Sequence, residues 1–367
     1  MFKPARFVLA LSLFAACDGG DGDTSSIDAT PADAPADAGP DWSALDQAVA
    51  AALTANGNTA AGLIIFDAQD RELHRATWNG FAIDQRVAIA SASKMISGLV
   101  LFDVIRTGEL TLDSTTGAVL GWTGPKAAIT LRHLLSFTSG LPRDHDCTGQ
   151  ANVTLAACVD LIAAESLVTA PGARYDYGSS HLHVAARMAE VATGQSWAAL
   201  FRARLADPLG LPPEVAYFTY PRQAAGTQNP LVAGGLRASM AEYAPLLRLV
   251  FHRGVTPSLT VGTAATFAAQ ASEPYPDARI GGSPAEGHGL PWHYGLTTWL
   301  ECTPPAVDCP VLSSAGAFGF TPWVDRANGY YAILGMQLDT TGADGISNFA
   351  LDLEQAIQPL ILTQLGR

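Results

Sequence analysis

The chain has 367 residues, 48% of them hydrophobic and 15% charged, and its 34 acidic against 21 basic side chains give a formal net charge of −13. An acidic excess of this size provides no basic footprint for a nucleic acid, so no such partner is expected. Seven of the aspartates fall within residues 18–41, so the charge is concentrated near the N-terminus.

Residues 1–16 begin with Lys3 and Arg6, continue through an apolar run, and end in small residues just before Cys17, the build of an export signal that is removed from the mature protein. The run is about half of the roughly 20 residues needed to span a bilayer, and no later segment comes closer. No transmembrane helix is expected. The boundary Leu13-Phe14-Ala15-Ala16-Cys17 resembles the lipobox of bacterial lipoproteins, which implies that Cys17 becomes a lipid-carrying first residue and the sole contact with a membrane. The alternative is ordinary secretion as a soluble or periplasmic protein, and both readings place the chain outside the cytoplasm. Residues 17–41 therefore read as an anchor cysteine followed by a disordered acidic linker of Asp, Gly, Ala, Pro, Ser and Thr, too poor in apolar residues to form a core.

Residues 42–367 exceed the roughly 250–300 at which a single core stops growing, so one domain with two lobes is expected. Asp41 or Ser43 caps a first helix running through Leu53, and residues 62–67 and 72–78 form a hairpin about a turn at 68–71. Helical patterns follow at 91–106, 131–135, 155–164, 180–193, 197–205 and 240–253, separated by Gly and Pro clusters. Residues 294–300, 311–320 and 329–338 read as strands and 348–365 as a closing helix. The expected fold is α+β, an antiparallel sheet flanked by helices with a mainly helical second lobe. Cys147 with Cys158 and Cys302 with Cys309 are expected to form two local disulfides, because the chain enters an oxidising compartment. Zinc is the competing reading, but spacings of eleven and seven do not suit a zinc knuckle.

The sharpest chemical feature is Ser91-Ala92-Ser93-Lys94, which opens a run apolar nearly all round and hence a buried helix. Residues three apart share a helix face, so Ser91 and Lys94 meet where free backbone N–H groups favour negative charge. The chain has only three lysines, at 3, 94 and 126, so one at the mouth of a core helix is conspicuous. Desolvation disfavours an ammonium, and a partly buried lysine can accept the proton of a serine nucleophile. The bland alternative is that Ser91 caps the helix and Lys94 snorkels to the surface.

Four collinear stretches then carry a resemblance: IASASKMISGLVLFDVIRTGELTLD, ITLRHLLSFTSGLP, PGARYDYGSSHLHVAARMAEVATGQSW and AGGLRASMAEYAPLLRLVFHRG. From about residue 45 to 365 the chain resembles the serine β-lactamase and penicillin-binding protein group, with its class C β-lactamases, D-alanyl-D-alanine carboxypeptidases and family VIII esterases. The resemblance implies a sheet-plus-helical-lobe fold and an acyl-enzyme mechanism without a cofactor. It makes Ser91 the nucleophile, with Lys94 and Tyr177 as proton carriers, either of them the base.

The family's Tyr-x-Asn falls on Tyr177-Gly178-Ser179, where Ser179 departs, and its Lys-Thr-Gly or His-x-Gly falls on Ser314-Ala315-Gly316, where the cation is missing. Ser179, Ser314 and Gly316 are then substrate-binding candidates, and the N–H groups of Ser91 and Ala317 form the oxyanion hole. Loss of the cation argues against β-lactamase and peptidase activity more than against ester hydrolysis. The expected function is a secreted or lipid-anchored serine hydrolase acting on a small carboxylic ester. A β-lactam or D-alanyl peptide is the second reading and a non-catalytic ligand-binding role the third. Trp292 and Tyr294 are further substrate-binding candidates, whereas His181 and His183 read as cleft-rim or packing residues and His133 as a core histidine, none of them a metal ligand. Asp144, His145 and Asp146 form a charged loop beside Cys147. No metal is implied, and nothing fixes the oligomeric state.

Overall fold

A computed structural model describes residues 39–339 and 347–367; the signal segment, Cys17 and most of the acidic linker lie outside the described residues. The first elements are helix α1 (Ser43–Ala55) and the hairpin β1 (Ala61–Asp67) and β2 (Glu72–Trp78). Helix α1 covers the expected residues, but its N-cap is Trp42, which makes no side-chain cap; the Asp41 carboxylate takes the Ser43 N–H at 3.0 Å instead.

After the two-residue strand β3 (Val87–Ala88) comes a helical segment: α2 (Ser93–Arg106), α3 (Thr116–Leu120), α4 (Leu131–Leu135) and α5 (Leu155–Ala164). Strand β4 (Arg174–Asp176) leads into α6 (Ser180–Thr193) and α7 (Trp197–Phe201), and β5 (Arg237–Ala238) into α8 (Met240–Phe251) and α9 (Ala264–Gln270). The last third holds β6 (Arg279–Gly282), the short α10 (Pro284–Gly287), β7 (His293–Tyr294), β8 (Trp299–Leu300), β9 (Val311–Ser313), β10 (Thr321–Asp325), β11 (Tyr330–Met336) and α11 (Asn348–Gln364).

The main sheet has the order β2-β1-β11-β10-β9-β8-β7, so the two ends of the domain meet in its middle. Strand β1 runs antiparallel to β11, from Ala61 opposite Met336 to Asp67 opposite Tyr330. Both faces of this pair are covered, which explains why β1 and β11 are nearly continuous apolar runs. Leu63, Ile65, Ala332 and Leu334 pack with α1 and α11 around Leu45, Val49, Leu353 and Ile357. Ile64 and Ile333 face the other way, into the large core that contains α2 and α8. The observed fold is α+β, an antiparallel sheet with helices on both faces and a helical second lobe.

Several expected elements differ in detail; the helix expected over 197–205, for one, is α7 to Phe201 and then a π-helical turn, Arg202–Ala206. The strand expected over 294–300 is a hairpin, β7 and β8, because the Gly295 N–H bonds to the Thr298 carbonyl and Thr297 takes a left-handed φ of 64°. The strand expected over 311–320 ends at Ser313; Gly316 and Gly319 bend the chain, and a separate strand β10 follows. The helix expected over 91–106 divides into a 3-10 turn, Ala90–Ala92, and α2 proper. The two expected disulfides, Cys147–Cys158 and Cys302–Cys309, are present. No helix among the described residues is long and apolar enough to cross a membrane.

Helix α2 is buried from Ser93 to Val104 on every side. Its Gly98 exists for a neighbour: an added Cβ would stand 2.1 Å from Thr297 Oγ1 in the β7–β8 turn. In an exposed helix Gly→Ala stabilises by roughly 1 kcal/mol. Here the sign should reverse, with Gly98→Ala lowering the unfolding free energy by about 1–3 kcal/mol through overpacking. Denaturant melts of the two proteins test this, and a more stable variant would refute the close packing of α2 on that turn.

Candidate active site

Ala90 precedes the candidate nucleophile with a left-handed φ of 48°, a conformation that costs a non-glycine residue about 1–3 kcal/mol and persists only where the surroundings impose it. Those surroundings are visible. The Ile89 N–H bonds to Leu236 O at 3.3 Å, Leu236 N–H to Ser93 Oγ at 3.1 Å, and the Tyr243 hydroxyl to Ala92 O at 2.9 Å. The Ser97 hydroxyl donates to Val232 O at 2.8 Å and meets the Tyr217 hydroxyl at 2.9 Å. The segment 231–236 and two buried tyrosines thus clamp the first turns of α2 and hold Ser91 at their mouth.

Lys94 Nζ lies 2.9 Å from Ser91 Oγ and 2.9 Å from the carbonyl of Ala233. The residue is only 4% exposed. Burial pushes its amine down from 10.5 to about 7, opposed weakly by the Asp144 carboxylate. A neutral amine keeps a donor for Ala233 O and turns its lone pair to the serine hydroxyl. The Lys94 geometry therefore suits a base, and the surface-snorkelling alternative does not fit it.

Tyr177 closes the group. It follows β4, its N–H bonds to Gly282 O at 2.8 Å, and its ring centroid stands 4.5 Å from Lys94 Nζ. Its phenol hydrogen-bonds with Ser91, and burial holds it well above the usual tyrosine range, so it keeps its proton. The ring stacks on Trp299 at 5.3 Å and meets Phe137 and Tyr294 edge-on at 5.4 and 5.8 Å. Tyr294, 4% exposed, thus contacts Tyr177 from within the core, and Trp292 is also buried there.

Ser314 lies just past β9 and is 2% exposed. Its hydroxyl donates to the carbonyl of Ser91 at 2.9 Å, so it ties the nucleophile's backbone to the sheet. Gly316 follows where the chain passes so close to Ile89 that a Cβ would meet its carbonyl oxygen at 2.3 Å. The chain carrying Ala317 is thereby brought beside the Ile89–Ser91 turn, where an oxyanion hole belongs.

Ser179 turns its N–H to Asp144 Oδ1 at 2.9 Å, while Gly178 lies against the Arg143 carbonyl, 2.0 Å from where a Cβ would stand. Asp144 itself sits on a loop held by the Cys147–Cys158 disulfide and by Asn229, whose amide donates to Cys147 O at 2.7 Å. His181 is a brace: its Nδ1 meets Ser139 Oγ at 2.8 Å and its Nε2 donates to Asp176 O at 2.9 Å. Burial lowers His181, His183 and His133 each to about 4, leaving them neutral. Among the described residues no group of three or more His, Cys, Asp or Glu is placed to hold a metal ion.

Sequence reading missed the Ala233 carbonyl, Tyr217, Tyr243, Phe137 and Trp299. Ala233 acts through its backbone and carries no signal in its side chain, though it lies in the AGGLRAS stretch that bears the family resemblance.

The family model described as Beta-lactamase matches residues 45–357. Penicillin-binding protein 4 of Amycolatopsis lactamdurans is 34% identical over 145 residues, a match spanning 38% of this chain and 38% of that protein. Esterase EstB of Burkholderia gladioli is 28% identical over 319 residues, covering 72% of this chain and 79% of its own. A crystal structure of a proposed β-lactamase from Bacteroides dorei superposes with a TM-score of 0.75 at 25% identity, covering 87% of this chain and 98% of its own. The unliganded simvastatin synthase LovD of Aspergillus terreus shares the fold, with a TM-score of 0.64 at 18% identity over 88% of this chain and 98% of its own. The chain belongs to the Beta-lactamase family of serine hydrolases.

Proposed function

We propose that this protein is an exported serine hydrolase that cleaves small carboxylic esters through an acyl-enzyme on Ser91, with Lys94 as the base of acylation. The observation that carries the reading is the 2.9 Å contact between Ser91 Oγ and a Lys94 amine whose burial leaves much of it neutral near pH 7. The neutral amine takes the Ser91 proton as Oγ attacks the ester carbonyl carbon. The N–H groups of Ser91 and Ala317 receive the negative oxygen of the tetrahedral intermediate. Tyr177, still protonated, gives its proton to the departing alkoxide, and the phenolate takes a proton back from the neighbouring Lys94 ammonium. Water then attacks the acyl carbonyl, its proton passing to Lys94, which hands it to Ser91 Oγ as the carboxylic acid leaves.

Esters rank above β-lactams and D-alanyl peptides because Ser314, engaged with the Ser91 carbonyl, offers no cation to a substrate carboxylate. The esterase relative, which aligns over most of its length, supports the same order. The penicillin-binding protein relative favours the second reading, over a shorter stretch. Export is supported by the two disulfides, and a lipid anchor at Cys17 by the resemblance of residues 13–17 to a lipobox.

A fluorophosphonate probe should label the protein, and Ser91→Ala should abolish labelling; a folded, unlabelled protein would instead favour a ligand-binding role. Lys94→Ala should lower kcat on p-nitrophenyl butyrate by about 10²–10⁴-fold. The same ester should be turned over faster than a chromogenic cephalosporin, and the reverse order would overturn the substrate ranking.

The pH profile follows from the Lys94 amine. The neutral base form prevails above about 7, so kcat/KM for an uncharged ester should rise through that pH and level off above it. A profile flat from about pH 5.5 to 8.5 would contradict Lys94 as the base.

A further inference from the structure

We infer that Ser97 is a positioning residue for the base: its hydroxyl fixes the backbone whose Ala233 carbonyl aims the Lys94 amine at Ser91. The inference rests on the hydrolase reading above and adds a residue to its proton transfer. Its ground is a line of contacts that runs from the helical lobe through α2 to the amine.

A neutral amine has two N–H donors and one lone pair, so its lone pair takes a fixed direction only where a donor is held. Among the described residues the hydrogen bonds of Lys94 Nζ go to Ser91 Oγ and to Ala233 O, each at 2.9 Å. Ser179, standing where the resemblance places an asparagine, offers the amine no amide. The Ala233 carbonyl is therefore the anchor that leaves the lone pair facing the serine hydroxyl.

That carbonyl is fastened to α2 on both sides. Residues 231–236 close on themselves, with the Gly234 N–H bonded to Leu231 O at 3.0 Å. Val232 O takes the Ser97 hydroxyl at 2.8 Å, and the Leu236 N–H donates to Ser93 Oγ at 3.1 Å. Lys94 and Ser97 stand three apart on one helix face and take the carbonyls of consecutive residues. A serine inside a helix commonly bonds back to the carbonyl four residues before it, whereas Ser97 reaches a partner 135 positions away. Tyr217 holds it there: its hydroxyl meets Ser97 Oγ at 2.9 Å, and its ring is set edge-on against Trp197 and Phe201 at 5.7 and 5.2 Å. Ser97, Val232 and Tyr217 are all buried, so bulk water does not replace a lost bond.

The test is Ser97→Ala, which removes the hydroxyl and little volume. On p-nitrophenyl butyrate kcat should fall about 10- to 100-fold with KM changed less than about twofold, because the reacting groups are misaligned while the ester still binds. Fluorophosphonate labelling should slow by the same factor. The titration of Lys94, followed by lysine-selective NMR, separates positioning from packing. Loosening the Ala233 contact takes a favourable partner from the ammonium, so the midpoint, about 7 in the wild type, should stay there or move lower. The variant is then slower although its amine is no more protonated. Ser97→Thr, which keeps the hydroxyl, should recover most of the lost kcat. Should the alanine variant fail to fold, Ser97→Cys, whose thiol is a weak donor, is read by the same two measurements.

A folded Ser97→Ala protein with wild-type kcat overturns the assignment, and so does a Thr variant as slow as the Ala one. A midpoint driven up toward 10.5 also overturns it, since water has then reached the amine and the serine merely sealed the core. Each of these leaves the hydrolase reading standing. Absence of both ester turnover and fluorophosphonate labelling in the wild type overturns the hydrolase reading and this inference with it.

Discussion

Keeping the Lys94 amine out of water beside the Ser91 hydroxyl is the constraint on which the rest of the site depends. An ammonium loses much of its solvation at that position, and the opposing influence of Asp144 is the smaller one. The amine is left with the Ala233 carbonyl, the Ser91 oxygen and the Tyr177 ring around it. These come from the 231–236 segment, the turn before α2 and the strand before α6, so the fold can be read as the means of bringing them together. The apolar surround of α2 buries residue 94 whatever its chemistry, and the sheet fixes the turn that carries Ser91 through Ser314.

The two proton carriers are separated by their surroundings. Burial moves both away from charge, and the consequences are opposite: the amine becomes a base near neutrality, and the phenol becomes a more reluctant acid. The sequence left open which of them is the base. The difference in burial chemistry favours Lys94, with Tyr177 handing its proton onward. The aromatic packing of Trp299, Phe137 and Tyr294 around Tyr177 restricts its ring to one orientation, which such a relay needs.

Much of this was legible in the amino-acid order, for identifiable reasons. Long periodic or uniformly apolar segments such as α2, α6 and α11 stood out, as did β1 and β11, because burial fixes their composition. Ser91, Lys94 and Tyr177 stood out because the resemblance falls on them and their side chains are of the types the proposed chemistry needs. What escaped is carried by backbone or by folding at a distance: the Ala233 carbonyl, the hairpin inside 294–300 set by a left-handed Thr297, and the break after Ser313. Ser314 shows the same limit. Its position marked it as a substrate-binding candidate, whereas its hydroxyl reaches inward to Ser91 O. Asp144 was visible as part of a charged loop, but its link to Ser179 spans 35 positions and appears only in three dimensions.

The central claim concerns one amine, and the chain makes it directly observable because it contains only three lysines, at positions 3, 94 and 126. Selective ¹³Cε/¹⁵Nζ-lysine labelling gives a spectrum in which Lys94→Arg identifies one resonance by its loss. That resonance should titrate near pH 7 in the wild-type protein. A midpoint at the ordinary lysine value of 10.5 would contradict the account, because the amine would then be a permanent cation unable to accept the Ser91 proton.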